Sequence, residues 1–220
     1  MRHGRFNKSK SKVDNLSRLL IATNNRGKVL EIQDLLADMN IELVLPADIG
    51  LRLDVAEDGH TYAENATKKA LAFAQASGLI SLADDSGLEV DALDGAPGLY
   101  SARYSPKPSA SDADRRAYLL QNLQGRPRPW KACFHATVAI ATPGGNVHLA
   151  TGKCPGEIIP EERGTGGFGY DPIFLLPELG RTMAELDMDE KNRLSHRARA
   201  VLNARPILRE IFGLRTGENE

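Results

Sequence analysis

Two adjacent carboxylates, Asp84 and Asp85, follow the apolar run Leu79-Ile80-Ser81-Leu82-Ala83 and precede Ser86-Gly87. The run predicts a short buried strand, and Ser86-Gly87 predicts a turn that ends it. Ligands of α/β sheets gather at such strand ends. Two acids there can hold a divalent metal through hard oxygens, or one can take a proton from an attacking water. On Asp-Asp-Ser-Gly alone, an Asx-turn closed on its own backbone is the simpler account. The neighbourhood favours chemistry. Asp91, Asp94, Gly95-Ala96-Pro97-Gly98 and Ser101-Ala102-Arg103-Tyr104 make a long polar connection with little helical period. A loop of that length in a compact domain usually carries function.

Three further stretches suit a phosphate or a flat ring. Thr23-Asn24-Asn25-Arg26-Gly27-Lys28 breaks the β-type run Arg18-Leu19-Leu20-Ile21-Ala22, and Val29, Ile32, Leu35, Leu36 and Met39 then recur at helical spacing. Strand, polar turn and helix present backbone N–H groups and Lys28 at a helix N-terminus, which suits an anion. An ordinary βα loop has the same signature, and the P-loop spacing Gly-x4-Gly-Lys-Ser/Thr is missing. Gly164-Thr165-Gly166-Gly167-Phe168-Gly169 matches Gly-x-Gly-x-x-Gly. A dinucleotide fingerprint must open a helix, however, and Tyr170-Asp171-Pro172-Ile173-Phe174 cannot. Phe168 among small residues is better read as a stacking platform for a flat ligand, with an aromatic plug as the plainer alternative. The last stretch holds Lys191, Ser195, His196 and Arg197. On one continuous helix Lys191 and Ser195 share a face that His196 and Arg197 do not. For all to meet one ligand the chain must break near Ser195, which can cap a final helix carrying Ala198, Val201 and Leu202. A charged, solvated helix start is the alternative. Pro206 interrupts or bends that helix.

The elements around these stretches are ordinary. Ile41 to Leu45 is a second short strand. Thr61-Tyr62-Ala63-Glu64 is a capping box opening a helix through Ala66, Ala70, Phe73 and Ala74 to Ser77-Gly78. That gives Glu64 a capping role and leaves Asn65, Lys68 and Lys69 on a solvated face. Ser111 opens another helix, with Tyr118, Leu119 and Leu123 as its apolar side. Lys131 to Thr142 is a long strand, Pro143-Gly144-Gly145-Asn146 a turn, and Val147 to Thr151 the return, so the sheet is mixed.

At 220 residues with 41% hydrophobic content, the chain fits one α/β domain, or one with two lobes. A net charge of −1 gives no general attraction to nucleic acid or to an anionic membrane. Residues 1–17 form a basic extension, expected to be disordered, and residues 213–220 a polar tail. No apolar run is long enough to span a bilayer. Cys133 and Cys154, the only two cysteines, lack metal-ligand spacing and fit a reduced, cytoplasmic protein.

Taken together and in order, Thr23 to Lys28, Glu64-Asn65-Ala66, Ala83 to Leu88, Gly95 to Gly98, Ser101 to Tyr104, Gly164 to Pro172 and Ser195-His196-Arg197 are familiar. Over residues 18–212 the chain resembles the inosine triphosphate pyrophosphatase family, in particular its bacterial dITP/XTP branch. The resemblance implies an elongated mixed sheet flanked by helices, two lobes with a central substrate cleft, and a homodimer. It implies hydrolysis of non-standard purine nucleoside triphosphates (ITP, dITP, XTP) to the monophosphate and pyrophosphate, with Mg²⁺, and no nucleic-acid or membrane partner. Carried over, Thr23, Asn24, Asn25, Arg26, Gly27 and Lys28 hold the phosphates, Asn24 standing where the family commonly has Gly. Asp85 is the proton acceptor and a Mg²⁺ ligand, and Ser86 touches the substrate. Phe168, Gly169, Tyr170 and Asp171 take the base with Lys191, His196 and Arg197. The second metal ligand is Glu57, with Glu64 as fallback, because Ala56-Glu57-Asp58-Gly59 departs from the family's two acids before Thr-Gly. Asp84 and Asp85 divide the base and metal roles in a way the sequence leaves open. Hydrogen-bond types give the base preference: Asp171, or a backbone carbonyl near it, can accept from the N1–H of a 6-oxopurine, and His196 and Arg197 can donate to O6. Two other readings share parts of the pattern: a septum-inhibitor type of nucleotide pyrophosphatase, and a nucleotide-binding or RNA-associated protein without turnover.

Overall fold

The computed structural model describes residues 16–214. Most of the basic extension and the polar tail beyond residue 214 lie outside the described residues, although Ser17 already opens the first strand. In chain order the elements are β1 (Ser17–Ile21), α1 (Arg26–Leu35), β2 (Ile41–Val44), α2 (Tyr62–Ser77), β3 (Ile80–Val90), β4 (Pro97–Gly98), α3 (Asp112–Leu123), β5 (Trp130–Ala141), β6 (Val147–Ile158), β7 (Phe174–Leu176), β8 (Arg181–Thr182), α4 (Met188–Leu194) and α5 (His196–Phe212).

The strands form one mixed sheet in the order β2-β1-β3-β5-β6-β7-β8, with β4 on the side of β3. β1 runs parallel to β2 and β3, and the remaining pairs are antiparallel. The Pro143–Asn146 turn closes the β5–β6 hairpin, with the Asn146 carbonyl accepting from Thr142 N–H at 2.9 Å.

Alternation along the strands sorts side chains into three cores. Leu82, Val138 and Ile140 face α1 and α5, where Ile32, Val201 and Leu208 complete the packing. Their neighbours Ala83, Ala139 and Ala141 face α2 with Phe73 and Ala74. Farther along the same strands, Leu88, Val90 and Phe134 pack with Leu119, Trp130, Phe174 and Met183. The long strands β3 and β5 therefore run through two lobes, and the cleft lies between them.

Ser86-Gly87 does not end the strand. β3 continues to Val90, with Asp85 opposite Thr137, Ser86 opposite Ala136 and Gly87 opposite His135 on β5. Glycine is needed at 87 because the chain returns across it. A Cβ there would lie 2.3 Å from the Gly98 carbonyl oxygen and 2.7 Å from Tyr62 Oη. In a strand, glycine marks such close backbone approach as readily as a turn. Pro206 does not interrupt α5 either. It removes only the bond to the Leu202 carbonyl, on an exposed face, while Ala204 and Leu208 stay buried beside it. No described helix is long and apolar enough to cross a membrane.

Candidate active site

The two-residue period of β3 sends Asp84 and Asp85 to opposite faces of the sheet. Asp84 turns toward α1 and α5. Its Oδ2 meets Lys28 Nζ at 3.2 Å and Arg197 Nε at 3.1 Å. Burial alone would raise its pKa, but the charges of Lys28, Arg197 and Lys69 hold it far below the usual carboxylate range. Its Oδ1 is buried without a partner. Asp85 turns toward α2, where its Oδ2 accepts from Asn65 Nδ2 at 3.1 Å and its Oδ1 lies 3.8 Å from Lys69 Nζ. Here burial prevails over those partners and raises the pKa above the ordinary aspartate value. Desolvation disfavours the charged form, and Asp85 has weaker compensation than its neighbour.

Polarity predicts a solvated face for Asn65 and Lys69, and the structure corrects that. They lie one helical turn apart on the buried side of α2, while Lys68 alone stays outside, paired with Asp58. Lys69 Nζ donates to Glu57 Oε1 and to the Asp84 carbonyl, both at 2.8 Å. It is thus a cation already held between Glu57 and Asp85. Glu64 accepts the His60 N–H at 2.6 Å and completes the start of α2, whose Thr61 hydroxyl accepts the Glu64 N–H. It is occupied as a cap, which favours Glu57 as the second acid of the cleft.

On the opposite side of the cleft the chain breaks at Ser195. Its φ of −67° and ψ of 155° end α4, and its hydroxyl accepts the Ala198 N–H at the start of α5. The break brings Lys191, His196 and Arg197 to one site. Lys191 Nζ bridges Asp171 Oδ2 at 2.6 Å and Glu31 Oε1 at 2.7 Å. Arg197 donates through Nη1 to Glu31 at 2.5 Å, through Nε to Asp84 and through Nη2 to Ser86 Oγ at 3.0 Å. Three of its five N–H donors are thereby spent on the protein. The result is a buried chain of alternating charges: Lys28, Asp84, Arg197, Glu31, Lys191 and Asp171. Glu31 escaped the sequence reading, since an acid on an amphipathic helix is ordinarily solvated. Its one signal was its place beside Ile32 on the buried flank of α1.

Asp171 also accepts the Phe168 N–H at 2.9 Å, and burial raises its pKa against the pull of Lys191. His196 stacks on Phe134, with ring centroids 4.6 Å apart. Burial, with the Arg197 charge beside it, pushes its pKa well below the ordinary histidine value, so it is neutral, with Nδ1 unpartnered. Phe168 is half-buried, and Lys191 Nζ and Arg197 Cζ lie 5.1 and 5.4 Å from its ring centre.

The cleft between the two sides has a volume of about 350 Å³, within the range of small-molecule sites. Thr23, Asn24, Asn25 and Lys28 line it together with Asp85, Ser86, Glu57 and the residues from Phe168 to Asp171. Arg26 and Gly27 do not line it. Arg26 is exposed at the first position of α1, and Gly27 packs under Phe168, where a Cβ would lie 2.5 Å from the ring. The Lys28 N–H is already taken by Asn25 Oδ1, so Lys28 serves the cleft by its side chain. Glu57 and Asp85 fit a hard cation. Mg²⁺ needs only one or two carboxylates when substrate phosphates supply further oxygens. No group of three or more His, Cys, Asp or Glu side chains converges among the described residues, which leaves that mode open and no all-protein cage.

The comparisons agree with this architecture. The chain is 48% identical over 196 residues to a dITP/XTP pyrophosphatase of Desulforamulus reducens, covering 89% of this chain and 97% of that one. It is 48% identical over 187 residues to a dITP/XTP pyrophosphatase of Geobacter sulfurreducens, covering 84% and 94%. A HAM1 protein from Coxiella burnetii superposes with a TM-score of 0.80 at 39% identity, covering 89% of this chain and all of that one. The model of the Ham1 family matches residues 19–207, from β1 into α5, and the chain belongs to that family.

Proposed function

We propose that the chain hydrolyses non-standard purine nucleoside triphosphates (ITP, dITP and XTP) to the monophosphate and pyrophosphate, removing them from the nucleotide pool. The observation that carries this reading is the separation of Asp84 and Asp85. One carboxylate is locked between Lys28 and Arg197, and the other stands in the cleft with a raised pKa. Asp84 is spent on two cations and does not line the cleft, whereas Asp85 does, so Asp85 is the base and Asp84 the anchor. Asp85 takes the proton of the attacking water as the α–β anhydride bond breaks, and the pyrophosphate leaves toward Lys28 and Lys69. Mg²⁺, held by Glu57 and Asp85 with phosphate oxygens, would offset charge on the triphosphate. Thr23, Asn24, Asn25 and Lys28 contact the phosphates, and Ser86 lies beside them. Phe168 stacks on the base, and Asp171, Lys191 and His196 meet its edge. The names of the relatives, dITP/XTP pyrophosphatase, support the same substrate class.

Edge recognition sets the order of substrates. A 6-oxopurine offers an N1–H donor and an O6 acceptor, and adenine reverses both, which leaves buried polar groups unpaired. ITP and XTP should be best, GTP poor, and ATP at least about 10²-fold worse than ITP. The catalytic unit spans residues 18–212, and the same reading takes the protein to be a cytoplasmic homodimer, which sedimentation and cell fractionation check. The decisive experiment is product analysis with ITP and Mg²⁺. Pyrophosphate released in one step is expected; stepwise orthophosphate, or binding without turnover, would overturn the reading.

A further inference from the structure

The loop that carries Phe168 is held by helix α3, whose Asp112 also lines the rim of the cleft. Gly169, in the left-handed region at φ +61°, gives both its backbone groups to that helix. Its N–H donates to Asp112 Oδ2 at 2.8 Å, and its carbonyl accepts from Arg116 Nη1 at 2.9 Å. Neither partner is loose. Arg116 forms a two-point pair with Glu162, at 2.8 Å through both Nε and Nη2, and Asp112 is paired with Arg115. Both side chains lie one helical turn apart on α3 and sit 53 to 57 residues from the glycine they grip.

The start of α3 does not need Asp112. Ser111 and Asp114 already form a reciprocal capping box there. The loop does need an outside hold, because Gly164, Gly166, Gly167 and Gly169 leave its backbone few conformational limits. Phe168 N–H is fixed on Asp171 and Tyr170 Oη on the Ser101 carbonyl, at 2.9 Å each. The Gly169 peptide between them is the joint about which the aromatic ring would otherwise turn.

We propose that Asp112 and Arg116 are positioning residues for the substrate base: by clamping the Gly169 peptide they set the orientation of Phe168. The assignment rests on the reading of the cleft as a purine nucleotide site. It predicts that loss of the clamp weakens capture of the base and leaves the chemistry at Asp85 intact.

The test uses the full chain and four variants: Asp112→Ala, Asp112→Asn, Arg116→Ala and Phe168→Ala, with the first also combined with the last. In Asp112→Ala and Arg116→Ala, amide hydrogen exchange over residues 164–171 should speed up about tenfold, with the β3–β5 ladder unchanged. KM for ITP should rise about tenfold while kcat stays within about twofold. Asp112→Asn keeps an oxygen acceptor and should recover most of the loss. In the Phe168→Ala background, Asp112→Ala should add nothing further to KM. Unchanged exchange in the loop, a fall in kcat matching the rise in KM, or a full additional rise in the Phe168→Ala background would each overturn the clamp. A wild-type chain that releases no pyrophosphate from ITP would overturn the substrate reading instead, and the exchange data would still decide whether α3 holds the loop.

Discussion

Replacing Arg197 with alanine should unfold the protein more readily before it alters any preference among substrates. Arg197 is 2% exposed and joins two carboxylates that have almost no access to water, Glu31 at 3% and Asp84 at 1%. Removing one partner of a buried ion pair costs about 3–5 kcal/mol, because the remaining charge is left uncompensated. Lys28 still faces Asp84 and Lys191 still faces Glu31, which places the loss near the lower limit, about 3 kcal/mol. For a chain of this size that corresponds to about 6–12 °C in Tm. The pH dependence gives the mechanism away. Both carboxylates are depressed in the folded protein, so their contribution is present above their unfolded values and is lost as pH falls through the folded ones. The deficit of the Arg197→Ala variant should therefore be full at neutral pH and shrink toward about pH 4, where the freed carboxylates take up protons. Guanidinium unfolding followed by circular dichroism at both pH values measures this. A deficit under 1 kcal/mol at neutral pH, or one that does not change with pH, would refute the assignment of Arg197 to the buried charge chain. Turnover of the four purine triphosphates should fall evenly in this variant, in contrast with an Arg197 that reads O6.

Asp85→Asn keeps size and the Asn65 contact but removes the base, and should lower kcat for ITP by about 10²–10⁴-fold with little change in Tm. Phe168→Ala should raise KM for ITP, GTP and ATP by similar factors, about 5- to 150-fold, because stacking is blind to the base edge; a loss confined to 6-oxopurines would mean that the ring discriminates. Gly87→Ala should destabilise the fold through contact with the Gly98 backbone, and a thermal melt within 1 °C of wild type would show that the β3–β4 crossing yields.

Much of the site is legible in the sequence where a side chain breaks a local pattern. The Ser195 break follows from angular spacing alone, since Lys191, His196 and Arg197 cannot share a face of one helix, and the structure caps α5 there. Phe168 stands out because nothing else among those glycines can pack. The reading fails where burial is decided by distant partners. Asn65, Lys69 and Glu31 look solvated on helices whose other faces are apolar, and only the return of β3 and α5 beneath them shows otherwise. Ser86-Gly87 fails for a related reason. Its local turn propensity is overruled by the β5 ladder and by the Gly98 crossing, both long-range.

The unbroken β3–β5 ladder has a consequence for how this enzyme could be disabled. Because alternate residues face alternate sides, the chemistry is written in the phase of the strand as much as in its letters. Inserting one residue just before Asp84 would delete no functional group. It would set the inserted residue between Lys28 and Arg197, turn Asp84 to the α2 face and carry the Asp85 carboxylate to the place of Ser86 beside Arg197. The ladder from Ser81 to Val90 pairs with β5 at every step, so such a slip cannot be absorbed inside it. Single-residue indels should therefore be far less tolerated here than substitutions, and tolerated best in a turn such as Pro143–Asn146, since β6 beyond it pairs with β5 along its whole length.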